Sequence, residues 1–141
     1  MPRIQLEDDH YCFACGLENP HGLRIRWLTE GKTARGEFVP ERKFQGWKGI
    51  VHGGILATLL DEAMTRLSWL AAGGALTAEM RVRFLRPARV GEKLFVTGEI
   101  TAENRRVVEM RAAIRQGRPD GPRIAAATGK AVKVRPPSKN H

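Results

Sequence analysis

The spacing of hydrophobic residues changes period twice along the chain, and each change marks an element. Over residues 23–28 apolar and basic side chains alternate, and 34–39 alternate again after Gly31. Strand side chains point to opposite faces in turn, so these runs predict a first hairpin. Residues 40–51 have no period and carry Phe44, Gly46, Trp47 and Gly49. From about residue 54 to 72 the period is helical, and Gly73-Gly74 stops it. Period two then returns and predicts strands over 77–85, 93–101, 106–116 and 123–134. Arg86-Pro87 ends the first of these, and Arg118-Pro119-Asp120-Gly121 turns the chain into the last.

The helix says most about architecture. Ile55, Leu56, Leu59, Leu60, Ala63, Met64, Leu67, Leu70 and Ala71 cover most of its circumference, which predicts burial on nearly all sides. Its polar exceptions Thr58, Asp61, Thr65 and Ser68 share one stripe. A long apolar helix between antiparallel strands predicts an α+β chain in which one antiparallel sheet wraps around one central helix, a hotdog. The expected division is an N-terminal segment with a CxxC turn over 1–22, the hotdog domain over 23–135, and a flexible tail over 136–141.

Composition narrows the classes. A chain of 141 residues suits one domain with a real core. Residues 1–9 lack the basic and apolar regions of a signal peptide, and no apolar run approaches the ~20 residues of a membrane span, so a soluble, cytoplasmic protein without a membrane partner is expected. The net charge of +9 points to a polyanionic partner, either nucleic acid or a phosphate-rich small molecule. Arg24, Arg26, Arg81, Arg83, Arg111 and Arg115 fall at alternate positions within strand-like runs, as on a solvated sheet face. Neither zinc-finger spacing nor a basic heptad nor an aromatic RNP-like strand accompanies them, so no nucleic-acid partner is expected.

Candidate chemistry gathers at the helix. His52-Gly53-Gly54 opens it, and a helix start offers unpaired N–H groups and the positive end of the macrodipole to a developing anion. Asp61 lies eight residues beyond Gly53, ~12 Å along the axis, too far to act with it on one helix. An acid in an apolar helix is costly to bury without purpose, although a bond to a strand or partner backbone would also satisfy it. Glu62 points about 100° away and is assigned to solvent or an interface. His52 is read as a hydrogen-bonding shaper of the turn, and Gly54 as either part of the site or a close packing contact. Cys12 and Cys15 form a single CxxC that His10 or His21 could complete as a metal site. The favoured reading is a tight turn with two reduced thiols, and no metal is expected.

The chain resembles the hotdog-fold acyl-CoA thioesterases of the phenylacetic-acid-degradation type (PaaI-like), within a branch that opens with a Cys-Phe-x-Cys-Gly-x-x-Asn-Pro-x-Gly-Leu segment. That segment lies at Cys12 to Leu23. His-Gly-Gly, six residues and an aspartate match from His52 to Asp61, and Phe-Leu-Arg-Pro-Ala-x-x-Gly matches at Phe84 to Gly91. The resemblance implies an obligate dimer, or a dimer of dimers, with central helices antiparallel, so that Asp61 of one subunit faces Gly53 of the other. It further implies that the Gly53 N–H polarises the thioester carbonyl while Asp61 attacks it or activates water. Thr77 takes the place of a Ser or Thr that helps position the water, and an ordinary strand threonine is the alternative. The family often has Asn or Gln six or seven residues before the histidine; here Gly46 stands at six and Gln45 at seven, so Gln45 is the candidate. Arg83, Arg86 and Arg89 suit the phosphates of coenzyme A, and Phe44 and Trp47 suit an acyl pocket or subunit contact.

The expected activity is hydrolysis of an acyl-CoA to the free acid and coenzyme A, without a separate cofactor, since coenzyme A belongs to the substrate. A hotdog enoyl-thioester hydratase would require His52 paired with an acid, which fits less well. A non-enzymatic acyl-CoA sensor would carry an added regulatory segment, for which the eleven residues before Cys12 are expected to be too short.

Overall fold

In the computed structural model, residues 6–134 are described. The chain opens with a turn over 12–16, then forms β1 (Arg26–Glu30) and β2 (Thr33–Phe38) as an antiparallel hairpin. A short 3-10 turn, Arg42–Phe44, leads to the helix α1 (Gly53–Ala72). β3 (Ala75–Phe84), β4 (Leu94–Glu103), β5 (Val107–Gln116) and β6 (Arg123–Lys133) complete one six-stranded antiparallel sheet in the order β1-β2-β4-β5-β6-β3. The chain leaves the sheet after β2, runs through α1 and returns at the far edge as β3, so the sheet curves around the helix. This is the hotdog arrangement. The tail expected over 136–141 lies outside the described residues.

Small residues on the inner face let the helix settle into the sheet. A Cβ at Gly98 of β4 would meet the carbonyl oxygen of Ala63 at 3.0 Å, and one at Gly129 of β6 would meet Met64 at 3.0 Å. Between these strands, β5 turns Val108, Met110, Ala112 and Ile114 inward, facing Ala131, Gly129, Ala127 and Ala125 across the ladder. Leu56, Leu59, Leu60, Ala63, Met64 and Leu67 fill the space between helix and sheet. Each large side chain buried there contributes about 1.5–3 kcal/mol.

The structure departs from the sequence reading in two places. β1 begins at Arg26, three residues late, because Arg24 adopts a left-handed conformation at φ 56° and breaks the alternation. Its Nε donates to the Asn19 carbonyl at 3.1 Å, while Leu23 N–H and Ile25 N–H donate to Phe13 and Ala14. The segment ahead of β1 is therefore tied to the cysteine turn and not to β2. The helix is also less enclosed than its apolar pattern predicts. Trp69 and Leu70 are exposed, and Thr58, Asp61, Glu62, Thr65 and Arg66 are half-buried, leaving one side of α1 partly uncovered within the single chain.

Arg26, Arg81, Arg83, Arg111 and Arg115 lie on the outer sheet face, whereas Arg24 stands ahead of β1. Arg111 pairs with Glu99 there and Lys93 with Glu37. Among the described residues, no helix is long and apolar enough to cross a membrane.

Candidate active site

An α-helix leaves its first N–H groups without intrahelical partners, and here three of the four are accounted for. His52 is the N-cap, with extended backbone angles, and its Nδ1 accepts from Gly54 N–H at 2.8 Å. Its own N–H donates to the Phe44 carbonyl at 2.9 Å, and its carbonyl accepts from Ile55 at 2.9 Å as well as the first regular helical bond, from Leu56 at 3.3 Å. Gly53 N–H alone has no partner among the described residues. The acceptor role of Nδ1 assigns the imidazole proton to Nε2. Gly53 lies at an open cleft of about 400 Å³ lined by Gly46, Trp47, Ile50, Val51, His52 and Gly53. The Phe84 ring stands 3.6 Å from where a Gly53 Cβ would sit, so the end of β3 walls the helix start.

Two turns on, Asp61 projects from the half-covered side of α1. Its Oδ1 accepts a hydrogen bond from Thr77 Oγ1 at 2.7 Å, while Thr65 Oγ1, 3.4 Å from Oδ1, donates to the Asp61 backbone carbonyl at 2.8 Å. The two hydroxyls are 3.3 Å apart, forming a small polar network. The sheet helps to aim Thr77: the β3–β6 register shifts between Thr77 and Glu79, and such a bulge re-aims a side chain. Oδ2 of Asp61 makes no hydrogen bond among the described residues. Thr65 was visible in the sequence only as a member of the helix's polar stripe. Its spacing of four from Asp61 was the available signal.

Residues 48–122 match the family model described as the thioesterase superfamily, which is more than half of the chain. This chain belongs to the thioesterase superfamily. It is similar to mouse acyl-coenzyme A thioesterase 13, 30% identical over 71 residues, or 49% of this chain and 51% of that protein. The match thus spans about half the length of that curated relative. Two solved structures are similar in fold. One is the E. coli PaaI protein from the phenylacetic acid degradation operon, with TM-score 0.74, 21% identity and 81% and 82% of the two chains covered. The other is a Streptococcus mutans UA159 protein bound to acetyl CoA, with TM-score 0.72, 18% identity and 79% and 90% covered.

Within this thioesterase-superfamily chain the remaining candidates are dispersed. Gln45 Oε1 accepts from Gly49 N–H at 3.0 Å, which commits that oxygen to shaping the loop ahead of the helix. Phe44 is buried against Phe38 in the single chain, ring centroids 5.6 Å apart. Trp47 is 84% exposed and lines the cleft. Arg83 alternates with Phe84 and so faces away from Gly53, whereas the loop carrying Arg86 and Arg89 runs beside the helix start. Val51 N–H donates to the Ala88 carbonyl there, and Ile50 bridges to Arg89.

Of the two settings expected for Glu62, solvent or an interface, the structure argues against solvent. Its side chain is only 14% exposed and turns toward the N-terminal segment instead of solvent. Cys12, Cys15 and Glu62 bring their sulfur and carboxylate atoms within 4.8 Å of one another, and neither His10 nor His21 belongs to the group. Both cysteines are free. Burial pushes the Cys15 thiol up to about 12, with the Glu62 charge adding to it. Burial likewise raises the Glu62 carboxyl, opposed by the Cys15 hydrogen bond and by Arg66.

Proposed function

We propose that the chain is an acyl-CoA thioesterase that hydrolyses a thioester to the free carboxylic acid and coenzyme A. The observation that carries this reading is the Gly53 N–H at the capped start of α1, which has no partner among the described residues and opens on the cleft. A thioester carbonyl docked there would meet one preorganised donor and the positive helix end as its oxygen becomes negative. The second requirement is a base or nucleophile. Asp61 supplies a carboxylate with one oxygen anchored by Thr77 and the other without a hydrogen bond among the described residues. In the base route water adds to the carbonyl carbon and gives its proton to Asp61. The intermediate then expels the thiolate, which takes that proton. In the nucleophile route Asp61 itself displaces the thiolate, and water releases the acid from the mixed anhydride.

Asp61 and Gly53 lie ~12 Å apart on one helix, so the reading requires a homodimer with the two helices antiparallel. The half-covered side of α1, the free edge of β3 and the exposed Trp69, Leu70, Phe84 and Leu85 support that assembly. Arg86 and Arg89, beside the helix start, are the cations proposed for the phosphates of coenzyme A. The mouse relative's name and the acetyl CoA bound by the Streptococcus mutans protein agree with that substrate class. An enoyl-thioester hydratase is disfavoured, because His52 Nδ1 is committed to the helix cap and its ring bonds no carboxylate among the described residues.

The test is thiol release from short, medium, long and aromatic acyl-CoAs by wild type and Asp61→Ala. Hydrolysis of at least one class, reduced by ~10²-fold or more in a folded variant, is expected. An inert wild type, or an Asp61→Ala variant as active as wild type, would instead favour an acyl-CoA binding module.

A further inference from the structure

We propose that Cys12, Cys15 and Glu62 form a binding site for one thiophilic divalent cation, zinc by its chemistry, which clasps the N-terminal turn to α1 beside Asp61. The inference is independent of the thioesterase reading, since it rests on a different face of the helix.

Three donor atoms from two stretches far apart in sequence converge within 4.8 Å. Tetrahedral zinc with Zn–S of ~2.3 Å and Zn–O of ~2.0 Å holds its ligand atoms ~3.5–3.8 Å apart, so closure requires side-chain movement of about 1 Å. The backbone is already arranged for it. Gly16 N–H donates to the Cys12 carbonyl at 2.9 Å and closes the turn around the two cysteines. A Cβ on Gly16 would lie 2.2 Å from Cys12 N, so this tight return is open only to glycine. Asn19 Nδ2 braces the turn on the Tyr11 carbonyl at 3.2 Å, and the Leu23 and Ile25 N–H groups bind the Phe13 and Ala14 carbonyls. The turn is therefore held in place before any ion arrives.

The donor set selects the ion. Two thiolates favour zinc over magnesium or calcium, which prefer all-oxygen ligands. On binding, the two thiols release their protons to solvent and both sulfurs donate to the metal. Arg66 Nη1 lies 3.8 Å from Cys15 Sγ and 4.0 Å from Glu62 Oε2. Its guanidinium and a doubly charged ion together balance two thiolates and one carboxylate. Cys12 is exposed, which leaves room for water as the fourth ligand.

The test uses the full chain, reduced and stripped of metal, titrated with zinc in competition with a chromophoric chelator. Cobalt is then added to a second sample and read by absorption spectroscopy. One ion per chain and a thiolate-to-cobalt charge-transfer band are expected. Cys15→Ser should abolish the band, and Glu62→Gln should weaken zinc binding by at least the ~10–100-fold that loss of an outer-shell partner costs. Glu62→Gln leaves the turn untouched, so it remains informative if the cysteine variant fails to fold. His21→Ala should bind as wild type does. Absence of saturable binding, or a Glu62→Gln variant that binds as tightly as wild type, would overturn the proposal.

Discussion

A carboxylate in the middle of a helix has no backbone N–H to accept from, because the helix already uses them all. Asp61 finds its donor in the Thr77 hydroxyl of β3, while the Thr65 hydroxyl on its own helix bonds the Asp61 backbone carbonyl. A hydrogen bond to a charged acceptor contributes about 1.5–3 kcal/mol, so Thr77→Val should lower kcat about 10-fold or more. KM should change little, and Thr77→Ser should retain most of the activity. A Thr77→Val variant with unchanged kcat would show that the contact positions nothing. Asp61 was legible in the sequence as an acid among apolar neighbours, and Thr77 through the family resemblance. Thr65 was not singled out, since its reach to Thr77 depends on how β3 bulges. The neighbours of Glu62 were hidden for a comparable reason: helical geometry gave its angle around the axis, but the N-terminal turn it meets is brought there by tertiary folding.

The start of α1 shows how two adjacent glycines can answer to different constraints. A Cβ at Gly53 would meet the Phe84 ring at 3.6 Å, an ordinary contact, whereas one at Gly54 would press on His52 Nδ1 at 3.1 Å. Both substitutions gain about 0.5–1 kcal/mol of helix propensity, but Gly54→Ala strains a cap contributing about 1 kcal/mol. Gly53→Ala is therefore expected to be the more stable of the two in chemical denaturation. The reverse order would mean that the cap bond contributes nothing. At this scale the sequence was most legible where one face is buried, as in β5, whose alternation matches its burial. It was least legible ahead of β1, where Leu23 to Arg26 alternates like a strand but Arg24 turns left-handed to serve the cysteine turn.

The whole molecule presents an antiparallel sheet with β3 as one free edge and a helix left half-covered on the same side. Unpaired strand edges next to exposed apolar residues favour pairing with a second copy. Sedimentation should therefore report a dimer or a multiple of it, and a monomer at micromolar concentration would contradict the proposed site. The hotdog wrap could be read from the order of elements and from the apolar helix. The cleft and the metal-ligand cluster could not, because each joins distant segments whose approach is set by packing. The most direct measurement uses two variants that each damage a different half of the site. Asp61→Asn removes the carboxylate. Gly53→Pro removes the unpaired N–H at a position where proline suits the helix, following a His52 already at φ −60° and ψ 134°. Each homodimer should be folded and lose ~10²-fold or more in thioester hydrolysis. Co-expressed subunits should recover about a quarter of wild-type activity, because random pairing makes half the dimers hybrids with one intact site each. No recovery in demonstrably mixed dimers would contradict a site shared between two helices.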